Sequence, residues 1–313
     1  MTSVEQVPAP LRSAPAEALP AQRSVYGSRG AAAVRRLRQH TSGVVGLAIV
    51  GLFVFVAALA PLLARESPQA QDLARRLQRP SWGAPLGFDE LGRNELSLVT
   101  WGSRTSLAIA LASVLASLTL GVPLGLVAGF YGGSADVVIM RGVDVLLAFP
   151  GVLLALVVIA VLGPGLHSVI VAVSVYSIPT YIRLIRAATL QLMPRQFIEA
   201  ARAVGASGVR IMRLHALPNV LGPVIVQGSL SMGTVILTAG ALSFLGLGVQ
   251  PPTVEWGAMI STGRLYLRVA PHVVIVPGVA IMLAVLGFNL LGDALRDLLD
   301  PTTRLVGAPK RSR

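Results

Sequence analysis

Two long segments of this chain contain no charged side chain, and this limits its fold more than any other feature. Neither residues 145–182 nor residues 214–254 include an Asp, Glu, Lys or Arg. A charge at the centre of a bilayer costs about 2.5–3.5 kcal/mol even on the most permissive insertion scale, so membrane-buried helices require such charge-free runs. The composition agrees, because 54% of the residues are hydrophobic and 13% are charged. We therefore expect the chain to lie in lipid.

Six apolar segments are each long enough to cross a hydrocarbon core of about 30 Å as a helix, which takes roughly 20 residues. They lie at about 43–64, 104–130, 137–163, 166–188, 219–247 and 271–292. The first segment begins too far from Met1 for a signal peptide and follows a basic cluster, so we predict a retained span. The sequence therefore predicts an all-α, polytopic membrane protein with about six transmembrane helices.

The two ends of the chain differ in composition from its apolar middle. Residues 1–42 are rich in Ala, Pro and Ser without helical periodicity, which predicts a disordered tail. The membrane domain is predicted at 43–303, and a second, short tail at 304–313. Most of the 26 Lys and Arg residues fall in the tails and in the loops on their side of the predicted bundle. The positive-inside rule therefore predicts that both tails are cytoplasmic.

Charge and motif content argue against several functional classes. The net charge of +12 is spread between apolar segments and forms no basic run or face, so we expect no nucleic acid partner. There is no cysteine, and the four histidines lack the spacing of metal ligands, so we predict no metal site. The single lysine, Lys310, belongs to no Walker A motif, and neither Gly-x-Ser-x-Gly nor His-Glu-x-x-His occurs. We therefore expect a non-catalytic chain that binds no cofactor itself.

The most informative polar segment is residues 191–218, which lies between the fourth and fifth predicted spans and is called the Glu199 loop below. Its small alanines would let a helix seat closely against another protein, and its glycine frees the backbone to turn. We predict a helix–turn–helix elbow at the cytoplasmic membrane surface that contacts a soluble partner, with an ordinary amphipathic interfacial helix as the alternative. The candidate residues are Glu199, Ala200, Ala201, Gly205, His215, Leu217 and Pro218.

This pattern resembles the EAA loop of ABC-importer permeases, in the variant ending His-x-Leu-Pro-Asn that is typical of the dipeptide/oligopeptide/nickel family. Three further segments, at 85–107, 131–150 and 242–257, are similar in order and spacing to signatures of the C-type permease of that family. Within the first of them, Phe88 and Asn94 stand where the family usually has Thr and Asp. The resemblance covers roughly residues 40–303.

The resemblance implies the type I fold of ABC importers and a place in the bacterial plasma (inner) membrane. The chain would form half of a translocation pore, coupled to ATP hydrolysis through the Glu199 loop. The implied partners are a homologous second permease, two cytoplasmic ATPase subunits that hold ATP and Mg²⁺, and an extracytoplasmic solute-binding protein. That protein would deliver a peptide to the outer segments at 65–103 and 248–270.

Two alternatives stay open at this point. The cargo of relatives with these motifs is a peptide, and the alternatives are glutathione or a nickel chelate. The competing class of protein is a secondary transporter. Proton coupling in that class ordinarily needs a carboxylate or histidine at mid-membrane, and the charge-free spans argue against it.

Small and charged residues within the predicted spans concern helix packing. Four glycines repeat at every fourth residue, which lets a neighbouring helix approach closely, either within the chain or in a partner permease. They are Gly121, Gly125, Gly129 and Gly133. Near the start of the third predicted span, Arg141 and Asp144 are three residues apart, and we expect them to pair on one helix face.

Overall fold

A computed structural model of the chain describes residues 41–64 and 66–299. In chain order the helices are α1 (Thr41–Ala58), α2 (Ala60–Leu63), α3 (Glu95–Tyr131), α4 (Gly133–Leu147), α5 (Gly151–Leu162), α6 (Leu166–Leu192), α7 (Gln196–Ala203), α8 (Gly208–Ile211), α9 (Leu217–Phe244), α10 (Trp256–Gly263) and α11 (His272–Leu299). A π-helical turn, Met212–Ala216, joins α8 to α9. These two described ranges form no β-strand, only an isolated bridge between Phe88 and Asn94.

Five helices of the described part are long and apolar enough to cross a membrane, namely α1, α3, α6, α11 and the continuous helix that runs from Gly208 to Phe244. This confirms the prediction of an all-α polytopic protein. The predicted tails lie outside the described residues except for Thr41 and Ser42, which are already helical.

The third predicted span, 137–163, is not one straight helix. Helices α4 and α5 meet at 87°, and together they form the sixth candidate span. The break falls at Phe149 and Pro150, because a proline disfavours helical geometry in the residue before it and has no N–H to donate. At the same corner Gly151 lies directly against the ring of Tyr176, where a side chain would not fit. The apolar segment continues through the bend between α4 and α5, so composition alone does not predict this bend.

Helices α3 and α6 form the central pair of the bundle. A Cβ atom on Gly121, Gly125 or Gly129 would lie 2.6–2.8 Å from the Cβ atoms of α6, so these glycines let the two backbones meet. One turn towards the N-terminus of α3, a serine takes the place of the glycines. This residue, Ser117, donates a hydrogen bond to the carbonyl of Ser174 on α6 at 3.1 Å. The glycine repeat thus packs within the chain.

Gly133 corrects the predicted repeat. It is the first residue of α4 and has a φ of +52°, and no atom of the described ranges lies within 4 Å of where its Cβ would be. Gly132 ends α3 with a φ of +61°, so the helix changes direction before the fourth glycine is reached. The four-residue spacing of the glycines therefore continues in the sequence beyond the end of α3. In the structure the backbone turns at Gly132 and Gly133, which both lie in the left-handed region of φ.

Helix α11 packs between α1 and α9 and completes the bundle. Gly46 of α1 and Gly292 of α11 are the points of closest approach: a Cβ on Gly46 would lie 2.6 Å from the amide nitrogen of Leu291. Outside these helices, α10 closes one end of the bundle. Its Trp256 is fully buried and donates from the indole Nε1 to the carbonyl of Val99 at 3.0 Å.

Candidate functional site

The Glu199 loop forms the predicted elbow, with one difference. Helix α7 is followed by a turn at Gly205, whose φ is +79°, and then by α8. Ser207 caps α8 by accepting a hydrogen bond from the amide of Arg210 at 3.4 Å. We predicted a boundary between the loop and the fifth span at residue 218, but the second arm continues through the π-helical turn into α9 without a break. A displacement of the elbow would therefore act directly on a membrane-spanning helix.

A small separate core holds the elbow against the bundle. Ile198 and Ala201 of α7 and Ile211 of α8 are buried together, and Phe130 near the end of α3 packs against them. The guanidinium of Arg202 lies 5.7 Å from the centre of the Phe130 ring. Because α3 is the longer helix of the bundle's central pair, this contact anchors the elbow to the centre of the bundle.

The solvent-facing side of the elbow carries a cavity of about 510 Å³, called the loop cavity below. Its rim is apolar and unusually exposed: Val204 is 84% exposed, and Phe197 also faces solvent. The rings of Phe197 and His215 are 6.3 Å apart across it. An exposed apolar rim around a depression is typical of a protein-contact surface. The lining residues are Phe197, Ala200, Ala201, Val204, Gly205, Ala206, Arg210 and His215.

Four of the seven candidate residues line this cavity, namely Ala200, Ala201, Gly205 and His215. Glu199 is exposed in the first turn of α7 and has no ion-pair partner among the described residues. Leu217 and Pro218 lie in the first turn of α9, where Leu217 packs against the main core. Sequence reasoning missed Phe130, because it is far away in the chain and no local pattern marks it.

Arg141 and Asp144 of α4 do not pair with each other as we predicted. Asp144 binds Arg183 of α6 with an N–O distance of 2.8 Å, and Arg186 of α6 binds Asp136 of α4 at 2.5 Å. Arg141 makes no ion pair within residues 41–64 and 66–299. The predicted pair within one helix was therefore wrong, because the arginines of α6 reach across and bind both carboxylates of α4.

The segment that precedes α3 is held by ionic contacts and by an aromatic contact. Arg93 binds Asp89 at 2.6 Å and lies 3.7 Å from Glu90. Burial is the main cause that raises the pKa of the Glu90 carboxyl above its ordinary value. Phe88 is buried, and the guanidinium of Arg75 lies 4.8 Å from the centre of its ring. Phe88 thus has a packing role that a threonine could not provide.

Asn94 is the N-cap of α3. Its side-chain oxygen accepts hydrogen bonds from the amides of Leu96 at 3.0 Å and Ser97 at 3.4 Å. Replacing it by Ala removes both bonds at a buried helix end, and we expect a loss of about 1 kcal/mol in stability. Thermal unfolding of the detergent-solubilised protein measures it. Asn94→Asp keeps the acceptor oxygen and serves as the control; equal destabilisation by both changes would contradict the capping role.

A second cavity, of about 520 Å³, opens between the N-terminal turns of α3 and residues 252–254. Trp101 and Arg104 line it, and the guanidinium lies 5.8 Å from the indole ring. Arg104 has no carboxylate partner among the residues that the structure describes. The segments 65–103 and 248–270, which the sequence predicted as the docking surface of a binding protein, thus contribute residues to one cavity.

Comparison with known proteins connects this geometry to a family. The family model "Binding-protein-dependent transport system inner membrane component" matches residues 121–305, and "N-terminal TM domain of oligopeptide transport permease C" matches residues 28–80. The dipeptide transport system permease protein DppC of Alkalihalophilus pseudofirmus is 44% identical over 86% of this chain and 88% of its own length.

Two further relatives are as similar. The glutathione transport system permease protein GsiD of Pectobacterium atrosepticum is 46% identical over 85% of this chain and 89% of its own length. The di/tripeptide transport system permease protein DppC of Pseudomonas aeruginosa is 47% identical over 84% and 89%.

A solved structure shares the fold. An inward-facing structure of the MetNI methionine ABC transporter matches with a TM-score of 0.53 and 21% identity, over 65% of this chain and 96% of that chain. At this identity the likeness shows the fold alone, which is that of a type I ABC-importer permease. Membership of such a family implies ATPase and binding-protein partners. The resemblance seen in the sequence is thereby confirmed: the chain belongs to the family of binding-protein-dependent transport system inner membrane components, as a multi-pass permease of the ABC-importer type.

Proposed function

We propose that this chain is the C-type permease subunit of an ATP-driven peptide importer. Two of the relatives carry names that specify dipeptide or di/tripeptide transport, and another specifies glutathione, which is itself a tripeptide. Peptide-type cargo is the chemistry that these names share. Glutathione is the alternative within that chemistry, and a nickel chelate is the alternative outside it.

The Glu199 loop is the proposed contact with the ATPases, and its geometry is the observation that carries the proposal. The loop presents an apolar-rimmed cavity outward, is fixed by Phe130 inward, and continues into α9 without a break. An ATPase that seats in the loop cavity would push on a membrane-spanning helix each time it closes. Such a chain does mechanical work and catalyses no reaction, while ATP and Mg²⁺ are held by the ATPase subunits.

The other proposed subunits follow from the expectation that this chain forms only half of a translocation pore. A second, homologous permease would complete the path, and an extracytoplasmic binding protein would dock on the outer segments around Trp101 and Arg104. The loop would face the cytoplasm, where ATP is, and both termini would lie on that side, in the inner membrane of a bacterium.

Co-purification tests this assembly. Tagged chain, solubilised in mild detergent from its native membrane, should bring down two ATPases, a second permease and a peptide-type binding protein, each identified by mass spectrometry. In proteoliposomes, the assembly should accumulate dipeptide only with ATP. Recovery of the chain alone, together with uptake that needs no ATP, would overturn the proposal in favour of a secondary transporter.

A further inference from the structure

Helix α9 collects polar side chains on one side although it contains no charged residue. Gln227, Ser231, Thr234 and Thr238 follow one another at i, i+4, i+7 and i+11. At 100° per residue these four side chains fall within an arc of about 60°. They extend over about 16 Å of the helix, roughly half the thickness of a hydrocarbon core. We call them the α9 stripe.

None of the four residues is buried within the chain. Thr234 is exposed, and the other three are half-buried. By contrast, Ser243 on another side of α9 is buried, and Ser229 donates to the carbonyl of Phe288 on α11 at 3.3 Å. Ser229 and Ser243 thus serve packing inside the chain, whereas the four stripe residues are each at least partly accessible on its surface.

The hydrogen bonds of the stripe leave capacity for another partner. Thr238 donates to the carbonyl of Thr234 at 2.9 Å, and Gln227 donates from Nε2 to the hydroxyl of Ser231 at 3.3 Å. The Gln227 side-chain carbonyl and its second N–H are not used in these bonds. An amide that faces lipid would have to give up hydrogen bonds to water, so a surface of this kind belongs next to water or to another polar group.

A cavity of about 480 Å³ adjoins one end of the stripe. It lies at the end of α9 nearest the Glu199 loop, and Gln227 and Asn219 of α9 line it together with Leu184 of α6 and Arg296 of α11. Gln227 thus belongs both to the stripe and to the cavity. This volume is in the usual range of small-ligand sites, and a polar surface runs from it without interruption along the helix.

We propose that the α9 stripe lines the aqueous path that the cargo crosses. Neutral amide and hydroxyl groups would bind the backbone N–H and C=O groups of a peptide, which are the same in every peptide, and would leave its side chains unread. We infer the water-filled path from the exposure of the stripe, whereas the identity of the cargo that binds there rests on the peptide import proposed above.

Single cysteines test the path directly, because the chain has no cysteine of its own. Each stripe residue is replaced by Cys in the assembled transporter, and labelling by a small charged methanethiosulfonate is timed in membranes. Ile225, 50% exposed on the opposite side of α9, and Met282, 58% exposed on α11, are the controls. We expect the four stripe positions to react at least about ten times faster than both controls, and saturating dipeptide to slow them.

Each result has a definite meaning. Stripe positions that react no faster than Ile225→Cys and Met282→Cys would overturn the path, and the stripe would then face protein. Fast labelling that dipeptide does not slow would overturn peptide binding at the stripe. Uptake of dipeptide by the unmodified transporter is measured in parallel. Its absence, combined with fast stripe labelling, would refute peptide import and still support the path.

Discussion

Replacing Gly205 by Asp is expected to reduce ATP-driven uptake to background while the chain remains inserted in the membrane. Gly205 has a φ of +79°, a region that costs other residues about 1–2 kcal/mol. Among the residues that the structure describes, nothing lies within 4 Å of where a Cβ on Gly205 would be, so the folded chain leaves room there for a side chain. The new carboxylate would instead project from the wall of the loop cavity, where the ATPase is proposed to seat. Uptake, ATPase co-purification and membrane content are measured together.

Two matched variants separate the effects of the side chain's bulk, its charge and its position in the loop cavity on uptake. Gly205→Asn has the same shape without the charge and also tolerates the left-handed region, so its uptake reports the bulk of the side chain alone. Ala203→Asp puts the same charge on α7 outside the loop cavity, at an exposed position, and should leave more uptake than Gly205→Asp.

Glu199→Lys reverses the exposed charge in the first turn of α7 and is expected to reduce uptake as strongly as Gly205→Asp. Normal uptake by Gly205→Asp or Glu199→Lys would refute the coupling role of the Glu199 loop.

Much of the fold could be predicted from the sequence because lipid leaves few choices. Charge-free runs of sufficient length become helices, since each backbone N–H and C=O must be paired within the membrane. The elbow of the Glu199 loop was predictable for a similar reason: its two apolar arms and Gly205 are local signals. The start of α3 was not predicted: the apolar segment was placed at 104–130, whereas the helix begins at Glu95 behind the Asn94 cap.

What could not be predicted depends on residues that are far apart in the chain. Phe130 anchors the elbow from the end of α3, and Arg183 takes Asp144 away from its neighbour Arg141. The bend at Pro150 could not be predicted from the proline alone, since prolines within other spans of this chain, such as Pro223, leave their helices unbroken. Spacing alone therefore identifies which residues can meet on one helix, and only the tertiary fold decides which of them do.

The second large effect is expected at the contact between α3 and α6. Gly125→Ile should prevent the two helices from reaching their native separation, because a Cβ there would lie 2.8 Å from the Cβ of Ile185 and 2.9 Å from the carbonyl oxygen of Ile182. The clash involves backbone and a β-branched side chain, neither of which can turn aside. Overpacking of a close-packed core typically costs 1–3 kcal/mol, and we expect this rigid contact to lie at about the upper end. Thermal unfolding and monodispersity in detergent measure the loss.

Gly142→Ile is the matched control, because a Cβ at Gly142 of α4 would have no neighbour within 4 Å in the described part of the chain. It introduces the same side chain and the same change in helix propensity, so the difference between the two variants isolates the α3–α6 contact. If Gly125→Ile unfolded at the same temperature as Gly142→Ile, α3 and α6 would not be in close contact in the folded protein. If both variants folded normally and only Gly125→Ile lost its partner permease, the glycine repeat would face that partner. The serine bonds that continue the same contact, such as that of Ser117 to Ser174, argue for the intramolecular outcome.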